Sequence, residues 1–354
     1  MIGILFHGPE VFDSGWGQTV IDTMKKRDDV RCVLAGTMGR TAVFDSGIDG
    51  IEFRDKMPSV CLADLATEAN WIVIVNFGKS EQAGLVFGGM IVERSGVTIP
   101  IVQVECSGLF FVEWIEGCDP GIIAELSGLG LSPRRAPMPI ESSVWQADGN
   151  ICRRMTTAGI GDFIFVDGIM VGRATAEEVT FASRDGHLVE IQGAVVKAHG
   201  IEKLDRFGGI DLQTVKLASS PAIRRTVYVA RAMETNGTGV AFIDHAGMRV
   251  YELAGGVEGA VTVGDDTTAV AGDILSRFKI PVIGIVDGDE DAVHEKGCFA
   301  PGSVKLTVRK DDEFGLKVFD EIFHHKKRIG IGFKDVLRKI VAIVDNDLLD
   351  QQTY

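Results

Sequence analysis

Short, unbroken apolar runs at residues 3–6, 30–35, 71–76 and 100–105 alternate with stretches of helical periodicity at 16–26, after Gly39 and at 81–94. An apolar run with no polar alternation has no solvent face, so such strands need cover on both sides. Strand–helix alternation supplies that cover only in a parallel sheet with helices on both faces. The pattern therefore predicts an α/β domain over 1–140, a doubly wound parallel sheet of Rossmann or flavodoxin type. Pro133, Pro137 and Pro139, with Arg134 and Arg135 among them, interrupt regular structure and read as a linker.

The period then changes. Over 150–215 apolar and polar residues alternate with a period of two, in runs at 162–166, 169–173, 178–183, 187–191 and 194–199, with Asp167-Gly168 and Asp185-Gly186 at turn positions. Asp-Gly between alternating runs signals a hairpin, so this stretch predicts a small, barrel-like antiparallel β module. Ser219-Ser220-Pro221 predicts a capped helix start, with Asn236-Gly237 near its end. The remaining 216–354 predict a C-terminal α/β domain. Its strands are expected at 240–244, 249–253, 260–264, 281–286 and 304–308, and its helices at 268–278, at 312–323 and from Phe333.

Charge narrows the function. Lys+Arg number 36 against 50 Asp+Glu, a net charge of −14, which repels phosphate backbones and argues against general nucleic-acid or anionic-membrane binding. The longest apolar stretch, 83–92, is broken by Gly84, Gly88 and Gly89 and is about half the ~20 residues of a membrane helix. No basic segment precedes the first apolar run, so no targeting signal is read and the expected location is cytoplasmic. Six cysteines without a C-x-x-C pair suit reduced thiols. The Gly-rich stretch 85–92 is suited to close packing against the sheet or a second subunit, so a homo-oligomer or protein complex is one expectation.

Ligands of open parallel sheets bind beyond the carboxyl ends of the strands. At the first domain's edge the loops offer His7, Gly8, Glu10 and Ser14; then Gly36, Thr37, Gly39 and Arg40; then Asn76, Gly78, Lys79 and Ser80; then Glu105 and Cys106. Glycines admit a ligand to backbone N–H groups, and Arg40 and Lys79 add positive charge, so this edge is expected to bind a phosphate or carboxylate. These Gly, Ser and Thr residues are equally the usual caps and turns. Neither G-x-G-x-x-G nor G-x-x-x-x-G-K-[ST] occurs. His7, Glu10 and Cys106 are the candidate catalytic groups, with His7 as base and Cys106 as nucleophile.

The C-terminal domain offers Asp265 and Asp266 after one strand and Asp287, Asp289 and Asp291 after the next, with Asp244 closing a third. Crowded carboxylates and hard oxygen ligands suit Mg²⁺ or Mn²⁺, so Asp265, Asp266, Asp287 and Asp289 are expected to hold the metal, with Asp244 and Asp291 as further ligands. An EF-hand loop is excluded: counted from Asp287, position six is Ala292 and position twelve is Cys298. The competing reading is a helix cap followed by a solvated acidic turn.

GILFHGPEVFDSG (3–15), AGTMGRTAV (35–43), GDFIFVDG (161–168) and GDDTTAVAGDIL (264–275) together resemble an archaeal family of unknown function, common in methanogens. That resemblance implies an archaeal cytoplasm and assigns no catalytic residue. PVIGIV followed by Asp287-x-Asp289 resembles, over about 60 residues, the Mg²⁺-binding Toprim domains of primases and topoisomerases. A Toprim unit has Glu after its first strand where this chain has Asp244, and 249–253 reads here as a strand where a Toprim unit has a helix.

Three functions follow as expectations. The first is a Mg²⁺-dependent enzyme acting on a phosphate-bearing small molecule, a nucleotide or coenzyme. The second is a non-enzymatic ligand-binding or assembly protein, and the third a Toprim-like nucleic-acid enzyme.

Overall fold

The computed structural model describes the chain except residues 36, 55, 138–142, 168, 207, 221–229, 234–235, 245–248 and 289–297, and the side chains of 37, 38 and 220. The chain divides into two compact units, Met1–Tyr228 and Val229–Tyr354.

The first unit opens with strands β1 (Ile2–His7), β2 (Val30–Ala35), β3 (Ile51–Arg54), β4 (Trp71–Asn76), β5 (Ile101–Glu105), β6 (Phe110–Ile115) and β7 (Ser132–Arg134). They form one sheet in the order β3-β2-β1-β4-β5-β6-β7. Strands β1 to β5 are mutually parallel and β6 runs against β5. The apolar runs fold this way because successive side chains alternate between two cores. Ile2, Ile4, Phe6, Val73, Val75, Val102 and Val104 enter one, while Leu5, Val33, Ile72, Ile74 and Ile101 enter the other.

Helix Glu81–Ser95 starts at Ser80, whose hydroxyl accepts the Ala83 N–H at 3.2 Å, and stops at Gly96, left-handed at φ 64°. Gly84 and Gly88 face the sheet. A Cβ at Gly84 would overlap the Glu105 carboxylate, and one at Gly88 would overlap the Gln103 amide oxygen. The expected packing of this stretch against the sheet is observed.

Strands β8 (Val144–Ala147) to β15 (Leu217–Ser220) make two antiparallel sheets, in the orders β13-β12-β9-β8 and β14-β11-β10-β15. Between lie β9 (Asn150–Met155), β10 (Phe163–Val166), β11 (Ile169–Ala174), β12 (Val179–Arg184), β13 (His187–Gln192) and β14 (Ala194–Val196). The expected hairpins form with Asp167 and Asp185 left-handed, at φ 49° and 52°. The two sheets share one core of Ile164, Val171, Val179 and Phe181 with Leu204, Leu212 and Val215, so the module is a pair of packed sheets where a barrel-like closure was expected.

One expected element is corrected within it. The last strand stops at Val196 because helix Ala198–Arg206 follows and contains His199; this helix buries Gly200 and Leu204. Ser219 and Ser220 belong to strand β15, paired with β10, and the helix expected after them falls on 221–229, outside the described residues.

The second unit carries β16 (Val240–Asp244), β17 (Gly259–Val263), β18 (Val282–Val286) and β19 (Val304–Val308), all parallel, with antiparallel edges β20 (Arg328–Ile329) and β21 (Leu348–Thr353). Its helices are Asp265–Ser276, Asp311–Glu321, Phe333–Val344 and the short Val250–Leu253, where a strand was expected. In the helix Val250 turns inward to the core and Ala254 follows it one turn on, so the apolar run is used at helical spacing. No helix among the described residues is long and apolar enough to cross a membrane.

The glycine contact predicts an asymmetry between helices. Gly88→Ala is expected to destabilise the chain by about 1–3 kcal/mol through overpacking. Gly128→Ala, at a helix end where a Cβ meets nothing within 4 Å, should be neutral or stabilising. Urea unfolding midpoints of the two variants check it.

Candidate functional site

Two strand-end edges gather polar side chains. At the C-terminal edge of the second unit, Asp265, Asp287 and Asp311 each bring one carboxylate oxygen within 4.8 Å of the other two. Their positions follow from the βα repeat: Asp265 opens the helix after β17, Asp287 follows β18, and Asp311 opens the helix after β19. Gly264 is the N-cap of the first of these helices, and no side chain caps it there. Asp265 Oδ2 instead accepts the Gly288 N–H at 3.3 Å, joining two of the loops. Beneath them the Thr262 and Thr268 hydroxyls bond at 2.8 Å.

Like charges at such separations repel by about 1 kcal/mol in water and about 4 kcal/mol at a protein surface. A divalent cation reverses that sign, and carboxylates with room for water suit Mg²⁺ or Mn²⁺. Asp265 and Asp287 were legible as candidate ligands. Asp266 and Asp244 fall outside the group of three, and Asp289 and Asp291 lie outside the described residues. Asp311 was missed, although the rule that singled out its companions applies to it: an acid just after a parallel strand.

The edge of the first unit is built differently. Glu105, fully buried at the end of β5, accepts from Gly78 N–H at 2.6 Å and Ser107 Oγ at 2.8 Å on Oε1, and from Asn76 Nδ2 at 2.6 Å and Gln103 Nε2 at 3.1 Å on Oε2. Burial pushes its carboxyl above the ordinary range, while the donors from Gly78, Asn76 and Ser107 pull the other way. Asn76 Oδ1 meets His7 Nδ1 at 2.9 Å, and the His7 ring stacks on Phe87 with centroids 4.0 Å apart. Burial also lowers the His7 pKa; the Asn76 contact raises it and the Lys79 charge lowers it further.

The other residues of this edge have protein roles. The Lys79 ammonium is bonded to Asp162, to the Thr157 carbonyl at 2.9 Å and to Ser219 Oγ at 3.0 Å, which accounts for its three protons. Asp162 is itself fully buried. Lys79 thus ties the β4 loop to the β module. Ser80 caps its helix, and Ser14 donates to the Val11 carbonyl at 3.3 Å.

Gly78 lies against Ser80 and Gly84, and Gly8 is left-handed at φ 89° beside the Glu10 carboxylate. Thr37, Gly39 and Arg40 belong to helix Thr37–Ser46, where Arg40 lies over the Phe53 ring at 4.9 Å. Gly36 lies outside the described residues. Cys106 is buried, with its thiol pushed far up by desolvation, a poor setting for a thiolate nucleophile.

Asn76 and Glu105 were singled out as strand-end residues without an assigned role, and Gln103, inside β5, was missed. The sequence gives no sign that these three polar side chains meet.

The family described as "Uncharacterized protein conserved in archaea" matches residues 4–326. The chain is similar to "Uncharacterized protein MJ0065" of Methanocaldococcus jannaschii, 34% identical over 96% of each chain. No solved structure matches. Neither match carries a Toprim likeness.

The buried carboxylate predicts that Glu105→Gln replaces one accepting oxygen with an NH₂ group facing donors, at a cost of about 1–3 kcal/mol. The sign of its pH dependence follows from the raised folded pKa. Stability from this group is full below the unfolded value near 4.5 and is lost as pH rises through the folded value. Denaturant unfolding from pH 4 to 8 should therefore show a downward slope in the wild type that is reduced in Glu105→Gln.

Proposed function

The chain belongs to this archaeal family of uncharacterized proteins, and from its own residues we propose that it is a Mg²⁺- or Mn²⁺-dependent enzyme acting on a phosphate-bearing small molecule. The observation that carries the reading is the meeting of Asp265, Asp287 and Asp311 from three successive parallel strands. Three carboxylates brought this close repel one another, and a divalent cation would offset that repulsion.

Asp265, Asp287 and Asp311 would hold the ion, and the Gly288 N–H would keep the Asp265 carboxylate oriented. When bound, a divalent cation neutralises charge on phosphoryl oxygens. Mg²⁺ commonly takes one or two carboxylates plus substrate phosphates and keeps water besides, which suits ligands at a strand edge. The substrate class, a nucleotide or phosphorylated coenzyme, rests on that preference.

One observation favours a second reading, a ligand-binding or assembly protein. At the first unit's edge Lys79 is committed to Asp162, and the Cys106 thiol is buried and pushed up.

Thermal unfolding of the metal-stripped chain separates the two. Mg²⁺ or Mn²⁺ should raise the midpoint, and a ligand present at 100 Kd should add about 2.7 kcal/mol. Nucleotides and phosphorylated coenzymes should add to the shift only with metal present, and Asp287→Asn should remove both effects. A shift unchanged in Asp287→Asn would sink the metal site. No shift with any phosphorylated ligand would move the assignment to the binding protein.

A further inference from the structure

Strand order reverses between β1 and β4: β2 and β3 lie beyond β1, while β5 lies beyond β4. Such a switch point opens a crevice at the carboxyl ends of its two central strands. His7 ends β1, Asn76 ends β4, and they are register partners bonded across that point.

Their hydrogen-bond directions are determined by groups that can only donate. The Trp114 indole N–H reaches Gln103 Oε1 at 2.8 Å, so the Gln103 oxygen accepts and its NH₂ donates to the Gly84 carbonyl at 3.0 Å and to Glu105 Oε2. The Gly78 backbone N–H donates to Glu105 Oε1. With Glu105 ionised both its oxygens only accept, so Asn76 turns its NH₂ toward Glu105 and its oxygen toward His7. His7 Nδ1 must then carry the proton, leaving the lone pair of the neutral ring on Nε2.

Nε2 has no hydrogen-bond partner among the described residues, and it is not one of the buried polar atoms left without a partner. The half-buried ring is held flat on Phe87.

We propose that His7 Nε2 is the proton acceptor of a second ligand site, at the β1/β4 switch point of the first unit, which takes a hydroxyl group or water of a small neutral ligand. Asn76, Glu105, Gln103 and Trp114 are its positioning residues. On transfer the ligand O–H bond breaks, its electron pair stays on oxygen, and the proton moves to Nε2. The imidazolium so formed keeps Nδ1–H on Asn76, which is backed by the Glu105 carboxylate.

The charged groups around the ring favour a neutral partner over a phosphate. Lys79 is held by Asp162, and the Glu10 carboxylate lies beside Gly8, next to His7. Burial also keeps the ring neutral to lower pH than a free histidine. The site does not rest on the metal reading: its residues belong to the first unit and its test uses no metal.

Long-range ¹H–¹⁵N correlation spectra of the full chain, labelled at histidine and assigned with His7→Gln, read the tautomer at pH 7. The expected result is a neutral ring with the proton on Nδ1. Asn76→Ala should shift it toward the Nε2–H form common in water, and Glu105→Gln, which lets Asn76 turn over, should mix the two. Diethyl pyrocarbonate, which acylates unprotonated imidazole nitrogens, should modify His7 at pH 7.

An Nε2–H ring in the wild type would overturn the proposal. So would a tautomer that neither folded variant alters. A His7 left unmodified while the exposed His187, His199 and His325 are acylated would overturn it as well, since no ligand would then reach Nε2.

Discussion

A carboxylate out of reach of water must accept from as many donors as surround it, and Glu105 meets that requirement with four. The edge of the first sheet is organised around it. The Gly78 N–H shapes the β4 loop, Asn76 carries the contact across to β1, and Gln103 passes it to Trp114 on β6. Gly84 and Gly88 are the complement of this network. They leave room for the Glu105 and Gln103 side chains under helix Glu81–Ser95, where any Cβ would collide. A single buried charge thus determines a helix's distance from the sheet, a loop's path and the direction of a chain of hydrogen bonds.

The second unit solves the opposite problem. Its acids stand partly buried at strand ends, where three loops in the same βα geometry place Asp265, Asp287 and Asp311 in one neighbourhood. There the carboxylates converge on one another, whereas Glu105 is enclosed by donors. Enclosed charge builds structure, and convergent charge invites a cation.

The architecture was largely legible because its cause is periodicity. Unbroken apolar runs such as 71–76 require cover on two faces, and the Asp-Gly turns at 167 and 185 force left-handed backbone into hairpins. The exceptions have local reasons. At 249–253 a short apolar run fits strand and helix alike, and the choice fell to packing in the core beside β16. A barrel and a pair of packed sheets share one alternation of residues, so the pattern could not separate them.

The sequence by itself determined most of the strands and helices and which loops lie at strand ends, because these depend on neighbours one to four positions apart. It also pointed to Asp265 and Asp287 through their places after strands. Only the tertiary structure decided that Asp311 joins them from 24 residues beyond Asp287, that Lys79 is spent on Asp162, and that His7, Asn76 and Glu105 form one chain of bonds. Those contacts depend on strand order and register, which bring together residues far apart along the chain and leave no mark on the local pattern.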